Sequence, residues 1–392
     1  MDKTTGIRKR AWLLMFVVVT LVTATCGNGA DDTTTTAAAA ATATTAAAAA
    51  TTTTAAAAAT TAAAAATTTT AAESMTVAKV AVLVPEEPVD FGWNQQGVEG
   101  AVAAADAAGI ESEVAGGLGY DAPTATLRQL AETSDLMFAH ASGFATAAKE
   151  VAVETGVPVV VWGSPDDREP GLAAFVSTSA QEGGYLAGIL AARTTQTGQL
   201  GIVISADDFN WTRHSGGFIE GACSIDPTID IELVQIGEGG YADVEGGARV
   251  TAILIAGGAD VILGNGDGSS FGMIRAVETE DPPAGADKVW FIDVIGDKTS
   301  IDTENILLSS ILWDFQPTYL QAIRDVEAGT FGDVNYDLNL ATDGIALLRT
   351  ENISDELWAE IQTARDGIVD GSISVPAADT RAAAEQLLGC GA

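Results

Sequence analysis

The sequence predicts an α/β protein of two similar lobes, each built on a doubly wound parallel sheet. Three observations predict it. Short β-branched runs alternate with Ala-rich stretches of helical spacing, which is the pattern of parallel strands covered by helices on both faces. The alternation runs through one series and then restarts near residue 199. The body is roughly 300 residues, long for a single core and typical of two domains.

The elements follow in order. The run VAKVAVLV at 77–84 is the first strand, and 94–108 carries apolar residues at helical spacing up to Gly109. Strands are expected at 136–139, 157–162 and 172–177, with helices at 144–155, stopped by Gly156, and at 181–193. The second series has strands at 199–205, 229–236, 260–264, 288–294 and 306–312. Its helices are expected at 212–222, 244–256, 271–278 and 318–328, the last ending at Gly329. Open sheets of this kind bind ligands beyond the carboxyl ends of their strands. That rule selects the loops 85–94, 140–144, 206–211, 264–271 and 294–298.

The residues before the body place it. Lys3, Arg8, Lys9 and Arg10 precede an apolar run at 11–22, the length of a signal-peptide core and too short for a confident membrane span. Thr23-Ala24-Thr25 then lead to Cys26. This segment resembles a bacterial lipoprotein signal, although Thr23 and Thr25 stand where the usual pattern has Leu and Gly or Ala. The resemblance implies a signal peptide at 1–25 and lipidation of Cys26, hence an anchor on the extracytoplasmic face of a membrane. Ordinary cleavage nearby, with Cys26 left as a stray thiol, is the alternative. Residues 33–72 are Ala and Thr only, without periodicity or large side chains, so 26–75 reads as a disordered linker. As a flexible coil it would span roughly 35–40 Å.

Charge narrows the partners. The chain has 53 acids and 18 bases, a formal net charge of −35. Such a body repels nucleic acid and anionic lipid headgroups, so nucleic-acid binding is excluded. Of three cysteines, Cys223 and Cys390 remain once Cys26 is set aside. In an exported chain that pair is expected as a disulfide, two independent thiols being the other possibility.

The chemistry-bearing residues point to binding. Trp93 offers a flat face beside Asn94 in a strand-end loop; Trp211 is a similar case. Ser142 and Phe144 precede a helix whose N–H groups face the predicted cleft. The loop from Asn265 to Ser270, with Asp267 in it, lacks the Lys and spacing of a phosphate loop. His140 and His214 are the only histidines, without metal-pair spacing or a Cys or carboxylate cluster, so no metal and no cofactor is expected. No Gly-x-Ser-x-Gly elbow surrounds Ser142 or Ser205, and the chain reads as non-enzymatic.

Several segments carry a resemblance. The loop from Asp90 through Phe91, Gly92, Trp93 and Asn94 to Gln95 resembles the Asp-x-x-Phe-Asn-Gln segment of the basic membrane protein family. Ser142-Gly143-Phe144, Gly184 through Gly188, Gly217-Phe218 with Gly221, Gly257 through Ile262, Ser309-Ser310 and Asp343 through Leu347 agree in order over about 77–376. That family comprises lipoprotein substrate-binding components of ABC importers, several of which bind purine nucleosides, and is similar to type I periplasmic binding proteins. The resemblance implies two lobes joined by three crossovers, an N-terminal lobe of 77–177 plus 295–312 and a C-terminal lobe of 178–294 plus 313–376, with 377–392 as a tail. It further implies a monomer that hands a small-molecule solute to ABC permease subunits. By matched position it adds Asp90, Asp297 and Trp313 to the candidate ligand contacts. Two departures bear on the ligand: Ile295 and Trp313 stand where nucleoside-binding members have an Asp and a Lys. An exported nucleoside or glycoside hydrolase and a sensory receptor of the same fold stay open as alternatives.

Overall fold

The computed structural model describes residues 75–164, 168–238 and 240–390. The leader, Cys26 and the Ala/Thr tract lie outside the described residues. Strand β1 (Lys79–Leu83) sends alternate side chains into two layers. Val80 and Val82 pack with Ala101, Ala104 and Ala105 of helix α1 (Trp93–Ala108). Ala81 and Leu83 face the opposite layer, with Leu127 and Leu130 of α2 (Thr124–Ala131) and Val151 of α3 (Ala145–Thr155). Burial on both faces is why this strand reads as a continuous apolar run.

The first sheet adds β2 (Glu111–Ala115), β3 (Leu136–Ala139), β4 (Val159–Trp162), β5 (Ala173–Thr178) and β11 (Tyr336–Leu338), in the order β11-β5-β4-β3-β1-β2. All its pairings are parallel. The second sheet holds β6 (Gln199–Ile204), β7 (Asp230–Gln235), β8 (Val261–Asn265), β9 (Trp290–Ile295), β10 (Leu307–Trp313) and β12 (Ile345–Leu347), in the equivalent order β12-β10-β9-β8-β6-β7. Only β12 runs antiparallel to its neighbour. The second sheet is covered by α4 (Ala180–Thr194), α5 (Phe209–Ile225), α6 (Val244–Gly257), α7 (Ser270–Thr279) and α9 (Asp355–Val369). Helix α8 (Gln316–Ala328) returns to the first lobe and lies on α1, where Gln316 Nε2 donates to Ala103 O. Helix α10 (Arg381–Glu385) packs on α5, and Cys223 at the end of α5 is bonded to Cys390 with their Cα atoms 5.3 Å apart.

Among the described residues the chain therefore passes between the sheets three times: from β5 to α4, from β10 to α8, and from β11 to β12. This corrects the expected lobe boundaries. Residues 307–312 were assigned to the first lobe, but β10 pairs with β9 from Leu307 through Leu312 in the second sheet. Residues 316–338 were assigned to the second lobe, but α8 and β11 complete the first. A buried strand fits the centre of either sheet equally well by its pattern, and only pairing decides between them. The elements β2, α2, β11 and α9 were also unanticipated. Strand β2 is an edge strand without a buried face, and β11 is three residues long, so neither carries an apolar run.

Helices α1 and α8 end at Gly109 and Gly329, both in the left-handed region that favours glycine. Asp208 and Asp243 cap α5 and α6, accepting from Asn210 N and Gly246 N. Among the described residues no helix is long and apolar enough to cross a membrane.

Candidate functional site

The carboxyl ends of the two sheets face each other and enclose a cavity of about 230 Å³. The first lobe contributes Pro85 after β1, Trp93 at the start of α1, Tyr120 after β2, Ala141 to Gly143 after β3, and Trp162 at the end of β4. The second contributes Asp208 to Trp211 after β6, Tyr241 after β7, Asp267 after β8 and Trp313 at the end of β10. Strand-end placement is the general rule for open α/β sheets.

Trp93 is held rigidly. Its Nε1 donates to His140 O at 2.9 Å, and its ring stacks on the His140 imidazole with centroids 4.0 Å apart. His140 bridges Trp93 O, 3.0 Å from its Nε2, and the Tyr319 hydroxyl, 2.5 Å from its Nδ1. The network assigns the proton to Nε2, which donates to the carbonyl, while Nδ1 accepts from the tyrosine. Burial holds His140 neutral, its pKa lowered to about 3. Helix α1 approaches this ring only because residue 97 is glycine: a Cβ there would lie 2.3 Å from the imidazole. The edges of Trp162, Trp313 and Phe315 close around Trp93 at centroid distances of 4.7, 6.1 and 5.7 Å. Across the cavity Trp211 Nε1 donates to Ser205 Oγ at 2.9 Å.

The lobes touch at several points around the cavity. Trp93 N donates to Asp267 Oδ1 at 3.3 Å, Lys298 Nζ donates to Phe91 O at 2.9 Å, and Phe91 meets Phe271 edge to face. Tyr120 and Tyr241 stack across the lobes with centroids 6.0 Å apart. Tyr120 OH donates to Glu86 and Tyr241 OH to Asp208. Burial, then these carboxylates, pushes both phenols up.

Two acids face the interior, and no Lys, Arg or His lies among the lining residues. Burial raises the pKa of Asp208, partly offset by its hydrogen bonds from Asn210 N and Tyr241 OH. Asp267 is raised well above the ordinary carboxylate range by burial and then by the charge of Asp90. Its backbone sits at φ 56°, in the left-handed region, between Gly266 and Gly268. Oδ1 accepts from Trp93 N, while Oδ2 takes no hydrogen bond from any described residue.

Of the nine candidate contacts, Trp93, Ser142, Trp211, Asp267 and Trp313 line the cavity. Four do not. Asp90 accepts from Gly92 N, Asn94 N, Gln95 N and the Asn94 amide, so its carboxylate closes the loop that starts α1. Asn94 is 1% exposed, with its Oδ1 accepting from Glu86 N. Phe144 is buried in the first lobe's outer core beside Ala148 and Val161. Asp297 lies in a separate hollow with Phe91, Gln95 and Ile295, and its Oδ1 accepts from Thr299 N. In each case a local hydrogen-bond or packing role takes the side chain away from the cavity.

Tyr120, Trp162, Asp208, Phe209, Asn210 and Tyr241 were not anticipated as contacts. The two tyrosines had a readable signal. Gly119-Tyr120 and Gly240-Tyr241 each follow the second strand of a lobe, a repeat at equivalent places.

Two doubly wound lobes joined by three crossings, with an aromatic cavity between their strand ends, define a solute-binding protein fold of the type I class. The solved structures of ABC transporter solute-binding proteins from Conexibacter woesei DSM 14684 and Aeropyrum pernix K1 share it. The first has a TM-score of 0.64 at 22% identity over 76% of this chain and 98% of that one. The second has a TM-score of 0.66 at 18% identity over 79% and 96%. Residues 77–379 match the family described as "ABC transporter substrate-binding protein PnrA-like", and the chain belongs to that family. It is 28% identical over 207 residues to the ABC transporter nucleoside-binding protein BmpA of Lactococcus lactis subsp. cremoris, covering 50% of this chain and 58% of that relative. It is 26% identical over 217 residues to basic membrane protein A1 of Borrelia garinii subsp. bavariensis, covering 54% and 61%. The matched region thus spans about three fifths of the length of these relatives.

Proposed function

We propose that this chain is a membrane-tethered, extracytoplasmic receptor that captures a small ring-containing solute of nucleoside type and presents it to an ABC permease. The observation that carries the reading is the aromatic cavity shared by two lobes, in a chain of the PnrA-like family. Each lobe supplies part of the binding surface, so only the closed arrangement surrounds the solute. Trp93, Trp211 and Trp313 offer ring faces or edges for stacking, and Ser142, Asn210 and the two carboxylates offer polar contacts. Closure buries those rings against the solute, and reopening releases it. Solute capture thus becomes a change of shape that a permease can read. Lipidated Cys26 would hold the body at the membrane, and the Ala/Thr tract would give it reach.

Titration calorimetry of the full chain against nucleosides, sugars and amino acids tests capture. Stoichiometric binding of a ring-containing solute without turnover is expected; product forming at catalytic rates would favour the hydrolase alternative. Cys26→Ala is expected to release the protein from the membrane fraction with its solute affinity unchanged. Undiminished membrane association would remove the lipid anchor from the reading.

A further inference from the structure

We infer that the solute carries a positive charge on or beside its ring, and that Asp267 selects for it. The inference rests on the reading of the cavity as the solute site. Seven of the lining residues are aromatic: Trp93, Tyr120, Trp162, Phe209, Trp211, Tyr241 and Trp313. Their ring faces carry negative potential and attract a cation within about 6 Å. The titratable groups of the lining, apart from the phenols, are the carboxyls of Asp208 and Asp267, and no basic side chain accompanies them.

These two acids are not equivalent. Asp208 accepts from Asn210 N through Oδ1 and from Tyr241 OH through Oδ2, so both oxygens are occupied. Asp267 has Oδ1 on Trp93 N and Oδ2 without a described donor. Burial, then the charge of Asp90, holds the Asp267 carboxyl toward its neutral form, and a cation brought into contact with it favours the carboxylate. No described residue places a cation against Oδ2. Lys298, whose charge is felt at Asp267, is 1% exposed, forms a 2.9 Å ion pair with Asp293, and donates to Phe91 O. The backbone at Asp267 is in the left-handed region, which Asp enters more readily than most residues, and its carboxyl lies at the cavity wall.

The whole chain adds to this. A net charge of −35 raises the local concentration of cations and disfavours anions such as phosphorylated ring compounds. A neutral ring solute would gain the stacking but bring Asp267 no counter-charge.

The test is calorimetry on the full chain with matched pairs that differ in charge: guanosine against 7-methylguanosine, and nicotinamide against N1-methylnicotinamide, with guanosine monophosphate as the anion. In at least one pair the cationic member is expected to bind about tenfold tighter or better. Asp267→Asn, which keeps an acceptor for Trp93 N, is expected to reduce that preference to within about twofold while the melting temperature stays close to that of the parent. Equal or tighter binding of the neutral members, or an Asn variant that keeps the preference, overturns the inference. Should none of these probes bind, mass spectrometry of solute retained on the purified protein decides: a cation supports the inference, and a neutral or anionic compound overturns it. No binding and no retained solute would remove the receptor reading itself, and this inference with it.

Discussion

Trp93 and Asn94 are chain neighbours with different work. The Trp93 ring lies on His140 at 4.0 Å and forms part of the cavity wall, while Asn94 turns inward and ties Glu86 N to Asp90. Trp93→Ala is expected to weaken solute binding by about 2–4 kcal/mol, the scale of a buried aromatic anchor, and calorimetry reads it. Asn94→Ala is expected to cost about 1–3 kcal/mol of folding stability by leaving buried polar groups unpaired. Equal losses of affinity in both variants would place Asn94 on the solute after all. The sequence shows that both residues lie in a strand-end loop, but not which side chain turns toward the cavity. His214 supports a prediction on pH. Its Nδ1 donates to Asn265 Oδ1 at 3.0 Å, and burial lowers its pKa to about 3. The unfolded chain takes up a proton near pH 6.5 and the folded one does not. This contribution to stability is therefore complete above pH 6.5 and is lost as pH falls toward 3, at about 1.4 kcal/mol per pH unit. The raised acids Asp208, Asp267 and Asp293 act in the opposite sense, because their folded forms bind protons more readily. The comparison with His214→Gln isolates the histidine: the variant's deficit in urea unfolding is expected to shrink from pH 7 to pH 5. A deficit independent of pH would mean that His214 does not stay neutral in the folded protein.

At the scale of elements, α4 and α5 meet through two pairs of glycines. A Cβ on Gly184 or Gly188 would lie 2.3 Å from His214 O or 2.1 Å from Phe218 O. Reciprocally, a Cβ on Gly217 or Gly221 would lie 2.0 Å from Gln181 O or 2.1 Å from Tyr185 O. The partners in these clashes are backbone oxygens, which cannot swing aside as a side chain would. Gly221→Ala is expected to destabilise the fold by about 1–3 kcal/mol or more through overpacking. Urea denaturation measures this, and an unchanged midpoint would mean that the two helices separate freely. The glycine spacing is visible in the sequence, but the partner of each glycine is not. The same limit explains the cavity-lining tyrosines. Gly119-Tyr120 follows an edge strand whose exposed face gives no apolar run, so only its repeat of Gly240-Tyr241 marks the loop as a strand end.

For the whole molecule, the bond between Cys223 and Cys390 fastens the C-terminal segment to α5 across a separation of 167 residues. On the chain-entropy model, closing so long a loop contributes up to about 5 kcal/mol. The double variant Cys223→Ser, Cys390→Ser is expected to melt at a lower temperature than the parent while keeping its solute affinity. The bond lies on the second lobe, away from the residues that line the cavity. An unchanged melting temperature would mean that the tail detaches before the body unfolds.

The sequence by itself determined the α/β class, the duplicated series and the strand-end loops, because apolar runs, helical spacing and terminal glycines are local properties of the chain. It singled out Trp93, Ser142, Trp211 and Asp267 as candidates, and the family resemblance added Trp313; all five lie at strand ends around the cavity. Only the tertiary structure decided that β10 belongs to the second sheet and α8 to the first. Pairing and packing between distant segments settle that choice, and each segment's own pattern suits either lobe. The same non-local packing turned Asp90, Asn94 and Phe144 inward and brought Tyr120 against Tyr241, since which way a side chain points depends on what the opposite lobe and the neighbouring loop place beside it.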